Sequence, residues 1–370
     1  MSGPASKPRT LAVLTNVLAP YRVPIFERLA RDFDLTVLLS GAEKNRDHWG
    51  RAANGSGPIK LKSSWGVTVS WRRRHQGETL DTRYLHVNPG ILPDLIRLHP
   101  DAIVSDEMGF RTLMALTYGK VFRRPVWVWW GGTLHTERRI GRGKRAFRRL
   151  LVGLVDGWFS YGKTSTEYLL ALGVRREAIA ELQNCVPEAA YLAPTAPALS
   201  LEPRPVLLFV GQLVRRKGLE LLLEAAAQVQ KEGAEFSLLV VGGGAEQAAL
   251  EGLARDLGLR HVRFHGSVSP DKLPAIYRSG DVLVFPTLED VWGLVVNEAL
   301  WCGLPALVSI YAGCAAELVP NESTFDPLDR DDFVRQLKNA VAGRLPSPDH
   351  GRLERADEVG ARIVRALEAV

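Results

Sequence analysis

The sequence predicts an α/β protein of two domains, on three observations. Short apolar runs, stopped by Gly, Pro or acidic residues, alternate with longer segments of helical period. That is the rhythm of buried parallel strands joined by helices. The length, 370 residues, is long for one core and comfortable for two. Residues 187–205 are rich in Pro and Ala and carry no period, so a boundary falls there. The expected divisions are 1–186, a linker at 187–205, a second domain at 206–350 and a terminal helix within 351–370.

In the first domain, Thr10 to Asn16 (TLAVLTN) reads as a buried strand. The loop VLAPYR follows, then an amphipathic helix from Val23 to Arg31 and a strand from Leu35 to Leu39, a βαβ opening. The loop lacks G-x-G-x-x-G, so a dinucleotide site is poorly supported there. Residues 41–80 show no period. Arg72, Arg73, Arg74 and His75 lie beside Trp65 and Trp71. That mixture suits a solvated loop with two packed tryptophans, a single-stranded nucleic acid or a membrane interface.

The α/β rhythm returns at Asn88. Ile91 to Leu98 is a helix and Ala102 to Ser105 a strand with Asp106 and Glu107 at its carboxyl end. A helix at 111–122 and a strand at Val126 to Trp130 lead to Gly131, Gly132 and His135. Arg138 to Arg149 is the most basic stretch. It leads into a helix whose Phe147, Leu150, Leu151, Leu154 and Val155 form one apolar face. Either that face packs on a sheet with the arginines in water, or the basic end lies on an anionic membrane. Gly157 to Gly173 reads as strand, loop and helix.

The second domain opens with a strand, Val206 to Val210, then Gly211, Gln212 and the cations Arg215, Arg216 and Lys217 before a helix at 219–230. A diphosphate can approach there, although the spacing is not that of a Walker loop. A strand at Ser237 to Val241 runs into Gly242, Gly243 and Gly244, a flexible turn or a close approach of backbone to a nucleotide. A helix at 246–257, a strand from Val262 to Gly266 and a helix at 272–278 follow.

Next comes the most informative stretch, DVLVFPTLEDVWGLVVNEALWCGLP. Val282 to Phe285 is a buried strand stopped by Pro286. Glu289 and Asp290 occupy the loop, Trp292 and Gly293 break it, and Leu294 to Trp301 is a helix ended by Gly303 and Pro305. Ligands bind at such strand ends in open α/β sheets. The free amides of Leu294 and Val295 suit an anion. Glu298, one turn on, can accept from two sugar hydroxyls. Ala306 to Ser309 is a strand, and a last helix covers 352–367.

Composition narrows the classes. Cys185, Cys302 and Cys314 are unpatterned, which argues against a metal site or a disulfide framework. MSGPASKPRT has no apolar signal core, and no run approaches the roughly 18 residues that span a bilayer. A cytoplasmic location is expected. The net charge of +6 hides an asymmetry: residues 1–190 carry 29 Lys and Arg against 17 Asp and Glu, and residues 191–370 carry 18 against 24. The basic half suggests an anionic partner, either a lipid headgroup, a lipid-linked phosphate or nucleic acid.

Asp290, seven intervening residues and Glu298 resemble the acid-x7-Glu signature of the retaining glycosyltransferases of family four, and WGLVVNEALWCGLP is similar to that family almost letter for letter. The resemblance implies the GT-B fold: two Rossmann-like doubly wound domains facing across a cleft, with the last helix crossing back. The family has Glu where Asp290 stands, so Glu289 is an alternative first acid. Gly211 to Gly218 looks like the family's G-R-L-x-x-x-K-G, whose Arg and Lys hold the donor diphosphate. Lys217 matches; Gln212 replaces the Arg, with Arg215 or Arg216 as substitutes. APYRVPIFERLA is similar to the opening of bacterial enzymes of surface polysaccharide or glycolipid synthesis. This implies acceptor contacts at Tyr21 and Arg22, the alternative being a solvated Arg22 in a turn shaped by Pro20 and Pro24. His135 lies near the place of a donor-sugar histidine, which Gly131 or Gly132 occupies. Gly243 and Gly266 would border the nucleotide.

The implied function is transfer of a sugar from a UDP- or GDP-sugar to a glycan or lipid-linked acceptor, with retention, without metal or other cofactor. Lys217, a nearby arginine and the amides of Leu294 and Val295 would stabilise the leaving diphosphate. Asp290 or Glu289 would face the sugar, and Glu298 would hold the ribose. Two other classes stay open: a GT-B nucleotide-sugar epimerase, and a basic nucleic-acid-binding protein. No sheet of stacking aromatics supports the second, so no nucleic-acid partner is expected.

Overall fold

The computed structural model describes residues 8–41, 57–75 and 78–369, without the side chains of residues 71–83. The chain divides into two compact units: Met1–Arg73, Thr82–Cys185 and Glu354–Val370 in one, Arg74–Asp81 and Val186–Leu353 in the other.

The first unit holds strands β1 (Thr10–Thr15), β2 (Asp34–Leu39), β3 (Lys60–Ser63), β4 (Val67–His75), β5 (Glu78–Val87), β6 (Ala102–Ser105), β7 (Val126–Trp130), β8 (Gly157–Tyr161) and β9 (Ile179–Leu182), except that the adjoining ends of β4 and β5 fall in the second unit. Its helices are α1 (Val23–Asp32), α2 (Ile91–Leu98), α3 (Phe110–Phe122), α4 (Arg142–Val152) and α5 (Gly162–Leu172). Seven strands form one sheet in the order β3-β2-β1-β6-β7-β8-β9, and β4 and β5 form a two-stranded sheet apart from it. The pairings of β1 with β2 and with β6 are parallel, with Thr10 opposite Asp34 and Leu11 opposite Ala102. Strands β6, β7 and β8 are buried throughout, as strands covered on both faces must be. The edge strand β3 (KLKS) is mostly exposed, and its lysines discourage edge pairing.

The second unit repeats the plan with β10 (Val206–Val210), β11 (Ser237–Val241), β12 (Val262–Gly266), β13 (Val282–Phe285), β14 (Ala306–Ser309) and β15 (Thr324–Phe325). Its helices are α6 (Glu188–Leu192), α7 (Leu219–Lys231), α8 (Gln247–Asp256), α9 (Leu273–Tyr277), α10 (Leu294–Trp301), α11 (Ala315–Leu318) and α12 (Arg330–Val341). The sheet runs β12-β11-β10-β13-β14-β15. In both sheets the order reverses beside the unit's first strand. The loops after β1 and β6, and those after β10 and β13, therefore open at topological switch points. Helix α13 (Ala356–Glu368) belongs to the first unit and packs on α1, where a Cβ on Gly360 would come within 2.6 Å of the Arg28 side chain. Among the described residues, no helix is long and apolar enough to cross a membrane.

Four expectations change. Strand β3 and the β4–β5 pair occupy the stretch that showed no period, because an edge strand rich in exposed lysine lacks an apolar signal. Trp65 is 73% exposed rather than packed; the side chains of Trp71 and of residues 72–75 lie outside the described residues. The basic stretch is itself helix α4, and the expected apolar face packs on the core through Phe147, Leu151, Leu154 and Val155 but not through Leu150. Leu150 is 63% exposed and Leu154 and Val155 lie past the helix end, whereas Arg148 is buried. Its guanidinium reaches Glu137 at 2.7 Å and stacks 4.6 Å from the Trp130 ring, so pairing compensates the buried charge. The segment 187–205 contains α6, whose Tyr191 is buried.

Candidate functional site

In the second unit the loops after β10 and β13 are stitched together by backbone. The Arg216 carbonyl accepts from the Leu288 amide at 2.8 Å and from the Thr287 hydroxyl at 3.1 Å. Gly218 adopts φ +69, and a Cβ there would lie 2.0 Å from the Pro286 carbonyl oxygen. Only glycine fits so close an approach. This contact fixes Lys217, whose Nζ donates to Asp290 Oδ2 at 2.5 Å and lies 5.2 Å from the centre of the Phe285 ring. The other carboxylate oxygen of Asp290 accepts from the Trp292 amide at 3.3 Å. Its backbone bridges to the loop after β14 through Tyr311 and Gly313. Burial alone would raise the Asp290 carboxyl, but the charges of Lys217 and Arg216 outweigh it and hold the group below its usual range.

Asp290 and Glu289 differ in what they present. Glu289 offers its carbonyl to Arg216 at 3.4 Å, while Asp290 offers its carboxylate to Lys217. Gly293 starts α10 in the left-handed region at φ 109, and a Cβ there would strike the Phe285 ring at 2.6 Å. Trp292 is buried and donates from Nε1 to Asn297 Oδ1 at 2.8 Å, pinning the loop to the helix it precedes. The first-turn amides of Leu294 and Val295, four and five positions after Asp290, have no acceptor within the helix.

Glu298, on the next turn of α10, is held from behind. Tyr277 Oη donates to its Oε2 at 2.5 Å, and Tyr191 donates a second hydrogen bond. Burial raises the Glu298 carboxyl and the two phenols pull it partway back, which leaves it at about 7. Neither tyrosine was singled out in the sequence, because each lies on a five-residue helix with no motif around it.

The other donor candidates have varied surroundings. Gln212 is exposed, and Arg215 and Arg216 are half-buried in the turn before Gly218. The glycine run meets the protein's own backbone. A Cβ on Gly242 would lie 1.8 Å from the Gly211 carbonyl oxygen, and one on Gly244 would lie 2.2 Å from that of Leu213. A Cβ on Gly243 would lie 2.8 Å from the Ser267 hydroxyl, and Gly266 has φ +83 with open space at its Cβ position.

In the first unit, Arg22 is not solvated. Its guanidinium bonds Asp106 at 2.8 Å and Tyr161 Oη at 2.5 Å, and it lies 5.0 Å from the centre of the Trp129 ring. Asp106 also receives Arg111 at 3.0 Å and the Thr15 hydroxyl at 2.6 Å. Burial opposes the Asp106 charge, but the two arginines still hold its carboxyl low. The cluster joins the ends of β1, β6 and β8 at the first switch point. Tyr21 beside it is half-buried. His135 sits half-buried in the turn after β7, its carbonyl accepting from the Arg138 side chain.

Solved structures with this architecture include that of HepE from Anabaena in complex with UDP: TM-score 0.71, 16% identity, covering 98% of this chain and 100% of that one. The fold is thus GT-B. Residues 196–355 match the family model described as glycosyl transferases group 1, so the second unit carries a glycosyltransferase domain. The GDP-mannose-dependent alpha-(1-6)-phosphatidylinositol monomannoside mannosyltransferase of Mycolicibacterium smegmatis is 34% identical over 40% of this chain and 40% of its own length. The 2-deoxystreptamine glucosyltransferase of Streptomyces kanamyceticus is 30% identical over 57% of this chain and 58% of its own length. The chain thus spans less than two thirds of the length of these curated relatives.

Proposed function

We propose that the protein is a retaining glycosyltransferase that moves a sugar from a UDP- or GDP-sugar to a glycan or lipid-linked acceptor without a metal ion. The observation that carries this reading is the Lys217–Asp290 contact of 2.5 Å at the switch point of the second sheet. A diphosphate gains charge as the anomeric bond breaks. Lys217, Arg215 or Arg216 and the amides of Leu294 and Val295 stabilise that charge. Asp290 steadies the sugar, with Glu289 beside it as the alternative acid, and Glu298 takes the ribose hydroxyls. Gln212, Gly211, Gly243 and Gly266 border the nucleotide. The loop after β1, with Tyr21 and Arg22, takes the acceptor, and His135 contacts the donor sugar. The relatives that use GDP-mannose or transfer glucose, and the HepE complex with UDP, support the donor class.

The test is calorimetric titration with UDP, GDP, ADP and NAD without added metal, followed by NMR assignment of the product anomer. Tight binding of one nucleoside diphosphate and a retained anomer support the reading, with turnover unchanged by EDTA. Binding of NAD alone, or of none, overturns it.

Helix α4 favours a further part of this proposal. Arg142, Lys144, Arg145 and Arg149 are exposed together with Leu150. We infer contact with an anionic membrane, each cation near the leaflet contributing about 1 kcal/mol. Sedimentation with phosphatidylglycerol vesicles, lost when these four residues become Gln, tests it; equal sedimentation with neutral vesicles would sink it.

A further inference from the structure

Glu298 is the carboxylate proposed to receive two neighbouring hydroxyls, and such a group must meet two conditions. It must be ionised, because a protonated carboxyl has one donor and a reduced acceptor capacity. It must also be fixed in rotation, so that its outward lone pairs match a diol. Exposed glutamates meet the first condition easily and the second poorly; half-buried ones meet the second at the expense of the first.

The residues behind Glu298 address both. Tyr277 is wholly buried and Tyr191 is 6% exposed. Their rings meet edge to face with centres 6.2 Å apart, and both hydroxyls donate to the same carboxylate. Arg278 locks the arrangement. Its guanidinium donates to the carbonyls of Tyr191 at 2.9 Å, Ala193 at 3.0 Å and Cys302 at 3.4 Å, tying α6 and the end of α10 to α9. Cys302, the other titratable group near the carboxylate, is held protonated by burial, its thiol pushed up to about 11. Hence the groups facing Glu298 are two neutral phenols and a neutral thiol, with the nearby cation committed to backbone carbonyls.

We propose that Tyr191 and Tyr277 are positioning residues. They grip the Glu298 carboxylate from the protein side, keep it ionised near neutral pH and turn its remaining lone pairs toward a vicinal diol. This rests on the donor-site reading above. It makes nucleotide affinity a function of pH: with the carboxyl near 7, affinity rises as pH goes from 6 to 8. Without a phenol the ionised form loses a donor, so the midpoint moves up.

The experiment is calorimetric titration of UDP and GDP from pH 6 to 9 into the full chain and into Tyr277→Phe, Tyr191→Phe and Glu298→Gln. Each Tyr→Phe variant is expected to shift the midpoint up by about one pH unit, so that affinity at pH 7 falls up to about tenfold and recovers by pH 9. Glu298→Gln should bind weakly at every pH. An unchanged midpoint in both Tyr→Phe variants, or a loss that high pH does not recover, overturns the clamp. If the unaltered protein binds neither nucleotide, the donor reading fails. The clamp is then read directly from the carbon-13 carboxyl signal of Glu298. A midpoint near 7 that rises in Tyr277→Phe supports it, and one at the ordinary glutamate value overturns it.

Discussion

Lys217 and Asp290 stand 73 positions apart in the chain and meet at 2.5 Å, their side chains 13% and 14% exposed. Such a pair, half withdrawn from water, is already complete before any ligand arrives. A diphosphate must therefore compete with Asp290 for the ammonium group. Lys217→Ala should lower turnover by about 10²- to 10³-fold, the cost of losing one transition-state donor. Asp290→Asn should tighten binding of the nucleoside diphosphate severalfold while turnover falls. Steady-state rates and calorimetry on the two variants check both; weaker binding in Asp290→Asn would show that the carboxylate does not compete.

Two glycines share φ +69 but differ in surroundings. Gly258 has nothing within 4 Å of its Cβ position, whereas Gly218 would meet the Pro286 carbonyl. Gly258→Ala should cost about 1 kcal/mol, the conformational penalty alone. Gly218→Ala should cost about 3 kcal/mol or more, because the loops after β10 and β13 must separate. Melting temperatures of the pair isolate the clash, and equal shifts would contradict it.

Arg22 and Asp106 form a buried pair, with side chains 11% and 6% exposed. Arg22→Met should destabilise the first unit by about 3 kcal/mol, since it leaves part of a buried carboxylate charge uncompensated. Urea unfolding checks it. A midpoint matching the unaltered protein would return Arg22 to a solvated role.

The Glu298 carboxyl, raised to about 7 in the folded chain, also governs stability. A group raised on folding stabilises most below its unfolded value, about 4.3, and loses that contribution as pH rises through the folded value. The second unit should thus lose stability between about pH 5 and pH 7 from this source. Glu298→Gln should flatten that part of the profile in thermal melts taken without ligand. An identical slope in both proteins would argue against a raised carboxyl.

Two positions near the end of helix α4 run opposite to the hydrophobic pattern. Leu150→Ser should change stability by less than about 0.5 kcal/mol, because the side chain is already in water. Arg148→Leu should cost several times more, because Glu137 and Tyr168 would lose their shared partner. Denaturant midpoints decide the order.

Most of the fold was legible because its central strands are unbroken apolar runs. Val282–Phe285 and Ala102–Ser105 appear in the structure with the bounds read from the sequence. Strand β3 escaped notice because it is mostly exposed and carries two lysines in four residues. In helix α4 the buried Arg148 was hidden for a related reason, since a pattern of apolar residues cannot show that an arginine has a carboxylate and two rings waiting for it. In the candidate site, the motif residues near one another in sequence were readable. Tyr191 and Tyr277 were not, because their meeting at Glu298 depends on how α6 and α9 pack. Nor was the glycine run, since what approaches Gly242 and Gly244 most closely is the neighbouring loop.

The return of α13 to the first unit has a consequence for synthesis. The chain leaves that unit at Cys185 and re-enters it at Glu354. On the ribosome, the side of α1 that carries Arg28 stays without its α13 partner while some 170 further residues emerge. The second unit, which apart from Arg74–Asp81 runs unbroken from Val186 to Leu353, can therefore close first. The half of the molecule made earliest is the half completed last, and a ribosome stalled late in translation would release it with an open seam.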